Sequence, residues 1–229
     1  MANPIRITTM HPEFTSFPKL ARLNREIWIT EKIDGTNAQV RIIKPEVAVS
    51  EFSGWVAHVD DHLIWAGSRN RWVTPEQDNH GWARWVKENA EELVKLGYGS
   101  HFGEWWGSGI NRGYGLTKGE KHFSLFNTLR WSPPGQPTIQ SGERWDDKSK
   151  VMTPIFTQEA PACCGVVPVL YRGLFETECV NMALSELKAV GSIASPGYMN
   201  PEGVVVFHTA ANSAFKVTIK DDEKPKGAA

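Results

Sequence analysis

Residues 26–43 read EIWITEKIDGTNAQVRII, with β-branched and aromatic side chains alternating with polar ones on either side of Asp34-Gly35. Alternation interrupted by an Asp-Gly signal predicts a strand, a tight turn and a second strand. Lys32 then falls at a strand-to-turn junction, from which its amine can point into a cleft. The string Lys32-Ile33-Asp34-Gly35 decides nothing alone, since a random chain of this length holds K-x-D-G about one time in twenty. A solvated lysine beside a surface turn is its plain reading.

Working outward, strand-like runs are predicted at Ser100 to Trp106, His122 to Trp131, Val166 to Tyr171, Gly203 to His208 and Ala214 to Lys220. Trp82, Trp85, Val86, Ala90, Leu93 and Leu96 recur at helical spacing, which predicts a helix over Asp78 to Leu96 stopped by Gly97. A second helix is expected over Glu176 to Val190. Strands dominate without a regular βαβ alternation, so the expected class is α+β, with largely antiparallel sheets flanked by helices. No segment repeats and no low-complexity linker divides the chain. One domain is therefore expected over 1–220, followed by a charged tail, 221–229, and no separate C-terminal domain.

The chain has 229 residues, and 25 Lys and Arg against 26 Asp and Glu leave a formal net charge of −1. Bulk charge does not announce a nucleic-acid binder, so any basic surface must be local. No apolar run approaches the roughly 18 residues of a membrane span. Met1 to Leu20 carries charges and prolines where a secretory signal needs an apolar stretch, and a cytoplasmic protein is expected. Cys163, Cys164 and Cys179 form no repeated CxxC pair, which reads as reduced thiols, mostly in the core. His58, His62 and His80 show no metal-ligand spacing and read as surface residues.

After Lys32-Ile33-Asp34-Gly35 come Phe102-Gly103-Glu104, Glu202-Gly203-Val204-Val205-Val206 and Phe215-Lys216-Val217-Thr218-Ile219-Lys220, in that order. The ordered set resembles the covalent nucleotidyltransferase superfamily of polynucleotide ligases and RNA capping enzymes. Gly67-Ser68-Arg69 is similar to its basic element after the nucleophile, and Phe123-Ser124-Leu125-Phe126 to its aromatic strand. Phe17-Pro18-Lys19 and Glu31-Lys32-Ile33-Asp34-Gly35-Thr36-Asn37 resemble the RNA ligase branch. The resemblance implies a nucleotidyltransferase (adenylation) domain, ATP-grasp-like in fold.

What the resemblance implies for chemistry is specific. Lys32 attacks the α-phosphorus of ATP, releases pyrophosphate and keeps AMP in a phosphoramide bond. A lysine amine attacks only when neutral, and a nearby cation, Lys216 or Mg²⁺ (or Mn²⁺), favours that form. Asp34 orients the nucleophile or a metal-bound water, and Glu202 at the rim of an apolar strand holds the metal. Glu104 meets the ribose hydroxyls, while Glu31, Arg69, Phe123, Lys216 and Lys220 complete the nucleotide site. Lys216, Thr218 and Lys220 share one strand face, but Thr218 stands where the family usually has a lysine. Arg71 competes with Arg69 for the phosphate role, with Arg69 preferred. In the Gly-rich stretch Gly107 to Gly119, Arg112 and Lys118 with Trp105, Trp106 and Tyr114 read either as a cradle for a strand end or as a flexible hairpin.

The expected activity is an ATP-dependent RNA ligase joining 5′-phosphate and 3′-hydroxyl ends, with RNA the preferred nucleic-acid partner and no membrane association. A DNA nick-sealing ligase, a capping guanylyltransferase and a non-catalytic strand-end binder that retains the pocket are the alternatives. About nine residues follow Lys220, where many relatives carry a further module.

Overall fold

A computed structural model describes residues 13–222, apart from 79, 221 and the side chain of Trp145. The expected tail at 221–229 therefore lies, but for Asp222, outside the described residues. The chain opens with β1 (Glu26–Lys32) and β2 (Thr36–Ile43), then β3 (Ala57–Val59), β4 (His62–Gly67) and β5 (Trp72–Val73). Two short helices follow, α1 (Trp82–Glu88) and α2 (Ala90–Leu93), and then β6 (Gly99–Gly107), β7 (Lys121–Leu125) and β8 (Trp131–Ser132). The rest is β9 (Gln140–Asp146), β10 (Val151–Phe156), β11 (Gln158–Glu159), β12 (Cys164–Val166), β13 (Val169–Leu174), α3 (Thr177–Val190), β14 (Gly203–His208) and β15 (Ser213–Thr218).

The first two strands form as their alternation predicts, yet they do not make a hairpin. β1 belongs to a sheet ordered β13-β1-β14-β15, and β2 to a sheet ordered β12-β7-β6-β2-β4-β3 with β5 on β4. Lys32 pairs with Gly203 of β14, and four residues later Thr36 pairs with Trp105 of β6. The turn between them is a crossing from one sheet to the other. Gly35 makes that crossing possible: a Cβ there would lie 2.4 Å from the Trp105 carbonyl oxygen and 2.7 Å from Trp106 Cβ. Only a residue without a side chain passes so close to β6. Of the pairs in both sheets, β12 with β7 alone is parallel.

Each sheet buries one face under helices. Ala38, Val40, Ile42, Trp105, Phe123 and Leu125 pack beneath Trp82, Ala83, Val86 and Leu93 of α1 and α2. Trp82 is the hub, with ring centroids 5.4 Å from Trp85, 5.3 Å from Trp105 and 4.7 Å from Phe123, close enough for aromatic attraction beyond area burial. On the other sheet, Ile27 and Ile29 of β1 and Val204 and Val206 of β14 pack on Ala183 and Leu187 of α3. Period-two alternation then turns Thr30 and Lys32 the opposite way, toward the space between the sheets.

Three further expectations are corrected. The helix expected over Asp78 to Leu96 starts at Trp82, where the Asp78 carboxylate accepts the Ala83 and Arg84 N–H groups at 2.8 and 3.2 Å. It breaks at Asn89, whose side chain bonds the Trp85 carbonyl at 2.8 Å in competition with the helix. The strand expected over Val166 to Tyr171 is two strands in two sheets, β12 and β13. Pro168 interrupts the run, and its carbonyl accepts the Glu31 N–H at 2.9 Å as the chain changes sheet. The strand expected over His122 to Trp131 ends at Leu125, because the Asn127 side chain accepts the Arg130 N–H and folds 126–130 into a turn. The β9–β10 hairpin had no counterpart in the sequence reading.

Candidate active site

A cavity of ≈ 730 Å³ opens between the two sheets. One wall presents Thr30 and Lys32 from β1, Val205 and Phe207 from β14, and Lys216 from β15; the other presents Asn37 from β2 and Ser100, Phe102 and Glu104 from β6. Strand alternation explains both lists, since the intervening residues Ile29, Val204, Val206, Ala38, Gly103 and Trp105 are buried on the far faces. Arg69 and the turn after β7, including Phe126, also line the space.

Lys32 Nζ donates to Glu202 Oε2 at 2.5 Å, and Glu202 is only 8% exposed. Across the cavity Glu104 Oε1 accepts the Gly35 N–H at 3.0 Å. Burial raises the Glu104 carboxyl to about 7, so near neutrality it is about half protonated. Lys216 pairs in register with Val205 on the strand next to Glu202, adding an exposed cation to the same wall. Among the described residues no group of three or more acidic, histidine or cysteine side chains forms a metal cage. One carboxylate, Glu202, beside an open cavity does suit Mg²⁺, a hard cation that is held by one or two carboxylates while keeping water and substrate phosphates.

The loop after Lys32 is held from outside the cavity by the stretch that joins β6 to β7. Tyr114 accepts the Asp34 N–H at 2.8 Å, and burial pushes its phenol above the ordinary range, so it remains a neutral hydrogen-bonding group. Asn111 Nδ2 donates to Asp34 Oδ1 at 3.0 Å and to the Gly35 carbonyl at 2.5 Å. Arg112 Nε donates to Asp34 Oδ2 at 3.0 Å. A second loop, after α3, is anchored on Glu31, whose carboxylate is 1% exposed and accepts Ser192 Oγ at 2.6 Å and the Ile193 and Ala194 N–H groups at 2.8 and 2.9 Å.

Of the residues singled out in the sequence, Lys32, Arg69, Glu104 and Lys216 line the cavity, and Glu202 joins them through its hydrogen bond with Lys32. Four others are placed elsewhere. Glu31 shares the parity of Ile27 and Ile29, so its carboxylate points away from Lys32 to the 192–194 loop, although its residue borders the cavity. Phe123 faces the Trp82 side of its sheet, and the half-exposed ring beside the cavity is Phe126. Lys220 lies past the end of β15, where the Asp222 carboxylate accepts the Thr218 N–H at 2.7 Å, and it turns toward Asn200. Asp34 is near Lys32 in sequence, but its carboxylate is taken up by Asn111 and Arg112.

The loop 107–119 is also corrected. Trp105, Trp106 and Tyr114 are buried, so no aromatic cradle faces solvent there, and Arg112 is committed to protein partners; Lys118 is exposed. The sequence reading missed the holding role of Asn111, Arg112 and Tyr114. A trace of it lay in Gly113-Tyr114-Gly115, a bulky residue between glycines, which adopts φ 51°.

A family model described as RNA ligase matches residues 25–220. A comparison with curated proteins finds no match. Among solved structures, a point variant of Naegleria gruberi RNA ligase with ATP and Mn is similar at 18% identity and a TM-score of 0.45, covering 86% of this chain and 51% of that one. A second variant of that ligase, with AMP and Mn, is similar at 16% identity and a TM-score of 0.48, covering 91% of this chain and 57% of that one. The chain thus spans about half the length of the solved structures it matches.

Proposed function

The chain belongs to the RNA ligase family, and from that premise we propose that it is an ATP-dependent RNA ligase that works through a covalent lysyl-AMP. The observation that carries this reading is the convergence of Lys32, Lys216 and Glu104 on one cavity, with Glu202 hydrogen-bonded to Lys32. Lys32 Nζ forms a bond to the α-phosphorus of ATP, the bond from that phosphorus to the pyrophosphate oxygen breaks, and the amine gives up a proton. Glu202, whose carboxylate already accepts a hydrogen bond from that amine at 2.5 Å, takes the proton. Lys216 and Arg69 offset negative charge that grows on the phosphates. Glu104 serves the ribose and Phe126 offers a ring to the base. Glu202 would hold Mg²⁺ or Mn²⁺, which would supply positive charge at the phosphates.

The adenylate then passes to an RNA 5′-phosphate, and a 3′-hydroxyl displaces AMP to close the strand. With a net charge of −1, contact with the strand must come from a local basic rim, for which Arg69, Arg71 and Lys118 are available. No helix among the described residues is long and apolar enough to cross a membrane. A cytoplasmic setting is part of the same proposal and is supported by three free cysteines.

The test is incubation with α-labelled ATP and Mg²⁺, followed by the chase of the adduct onto defined RNA ends. Wild type is expected to take up an acid-labile label and Lys32→Ala none, with the fold kept. Labelling of Lys32→Ala, or an adduct that no RNA end discharges, overturns the reading.

A further inference from the structure

We propose that Arg112 is a positioning residue for the adenylylation step, a clamp that sets Lys32 against Glu202 without touching the nucleotide. The inference rests on the ligase reading above. Arg112 lies between β6 and β7, with its side chain 25% exposed. Besides its bond to Asp34, its NH1 group donates to the carbonyl oxygens of Asn200 at 2.9 Å and Pro201 at 3.1 Å. Those two carbonyls immediately precede Glu202. One guanidinium therefore holds the loop after Lys32 and the segment before Glu202, which belong to the two ends of the 2.5 Å Lys32–Glu202 contact.

Three features make this more than a surface ion pair. A planar fork reaching three acceptors fixes relative orientation, which the single-point charge of a lysine does not do. The residues around it are strained: Asn111 has φ 43° and Tyr114 φ 51°, and both bond the nucleophile loop. Left-handed backbone at non-glycine residues is unfavourable and persists where surrounding contacts over-determine it. Arg112 also lies outside the cavity lining, so the bonds it makes are spent on the protein.

The experiment measures adduct formation with labelled ATP and Mg²⁺ across ATP concentrations, normalised to folded protein by circular dichroism. Arg112→Ala is expected to lower the maximal rate on the order of 10²-fold, the scale of a small misplacement of reacting groups. The half-saturating ATP concentration is expected to move less than about threefold, because no nucleotide contact is lost. Arg112→Lys, which keeps charge and most of the stem and serves if the alanine variant does not fold, is expected to fall nearly as far. A raised half-saturating ATP with an unchanged maximal rate overturns the proposal by making Arg112 a nucleotide ligand. A wild-type rate per folded molecule in either variant overturns it as well. An unlabelled wild type overturns the ligase reading and the clamp with it, whereas a labelled wild type beside an equally labelled Arg112→Ala overturns the clamp alone.

Discussion

The sheet that carries Lys32, Glu202 and Lys216 rests on a small aliphatic cluster under α3, with Ile27, Ile29, Ala183, Leu187, Val204 and Val206 fully buried in it. The sheet that carries Glu104 rests on a wide aromatic core with Trp82, Trp105 and Phe123 at its centre. The first wall spends buried positions on charge: Glu31 and Glu202 are both almost fully covered. Buried carboxylates are costly unless paired, and here each is paired, one with backbone N–H groups and one with the candidate nucleophile. The second wall is the one with the larger aromatic backing, and its β6 packs against Gly35 and carries Glu104. The difference teaches a division of labour, in which the candidate reactive groups stand on the smaller aliphatic layer while the larger aromatic layer backs the strand against which the crossing loop runs.

That comparison can be broken by substitution. Beyond the complete loss expected of Lys32→Ala, Glu202→Gln is expected to lower the adduct rate by 10²-fold or more, roughly the scale of one lost charge-stabilising group. Its melting temperature is expected to move far less, because the amide keeps an acceptor beside Lys32. Trp82→Ala reverses the pattern. Emptying the hub of the aromatic core is expected to cost about 3–5 kcal/mol in denaturant unfolding, while the adduct rate per folded molecule stays within a few-fold of wild type. Equal loss of rate per folded molecule in both variants would mean that the two walls share one function.

Much of the candidate site was legible because it lies on strands. Lys32, Glu104 and Lys216 sit at alternating positions beside apolar partners, so side-chain direction follows from parity, and the order of the motifs along the chain supplied the resemblance; Glu202, just before β14, has the parity of Val204 and Val206, so its contact with Lys32 does not follow from alternation. The same parity already placed Glu31 with Ile27 and Ile29, against the role taken over from the motif. Other features had no local trace. Asp34-Gly35 is an equally good signal for a hairpin and for a crossing, and the choice depends on β6, whose Trp105 is the close neighbour of Gly35. The Arg112–Asp34 bond spans 78 positions, and no periodicity in either segment encodes it. Pro168 was visible, but that it moves the chain between sheets depends on Glu31 pairing with its carbonyl.

The last expected effect is a slope with pH, and it belongs to the wall with the aromatic core. Burial raises Glu104 from 4.5 to about 7 in the folded protein, while the unfolded chain keeps the ordinary value. Between those limits the folded state holds a proton that the unfolded state has lost, so stability falls as pH rises from about 4.5 to about 7 and levels off above it. The change is on the order of 3 kcal/mol. Denaturant unfolding of wild type and Glu104→Gln across that range is the measurement, and the glutamine variant is expected to lose the slope. Nucleotide affinity should run the other way, since a ribose hydroxyl needs an acceptor and Glu104 becomes a full carboxylate only above about 7. Half-saturating ATP in an equilibrium binding assay is therefore expected to fall as pH rises from about 6 to 8. The Glu104→Gln variant is expected to lack that trend; a trend retained in it would assign the proton to a group on the opposite wall and erase the contrast between the two.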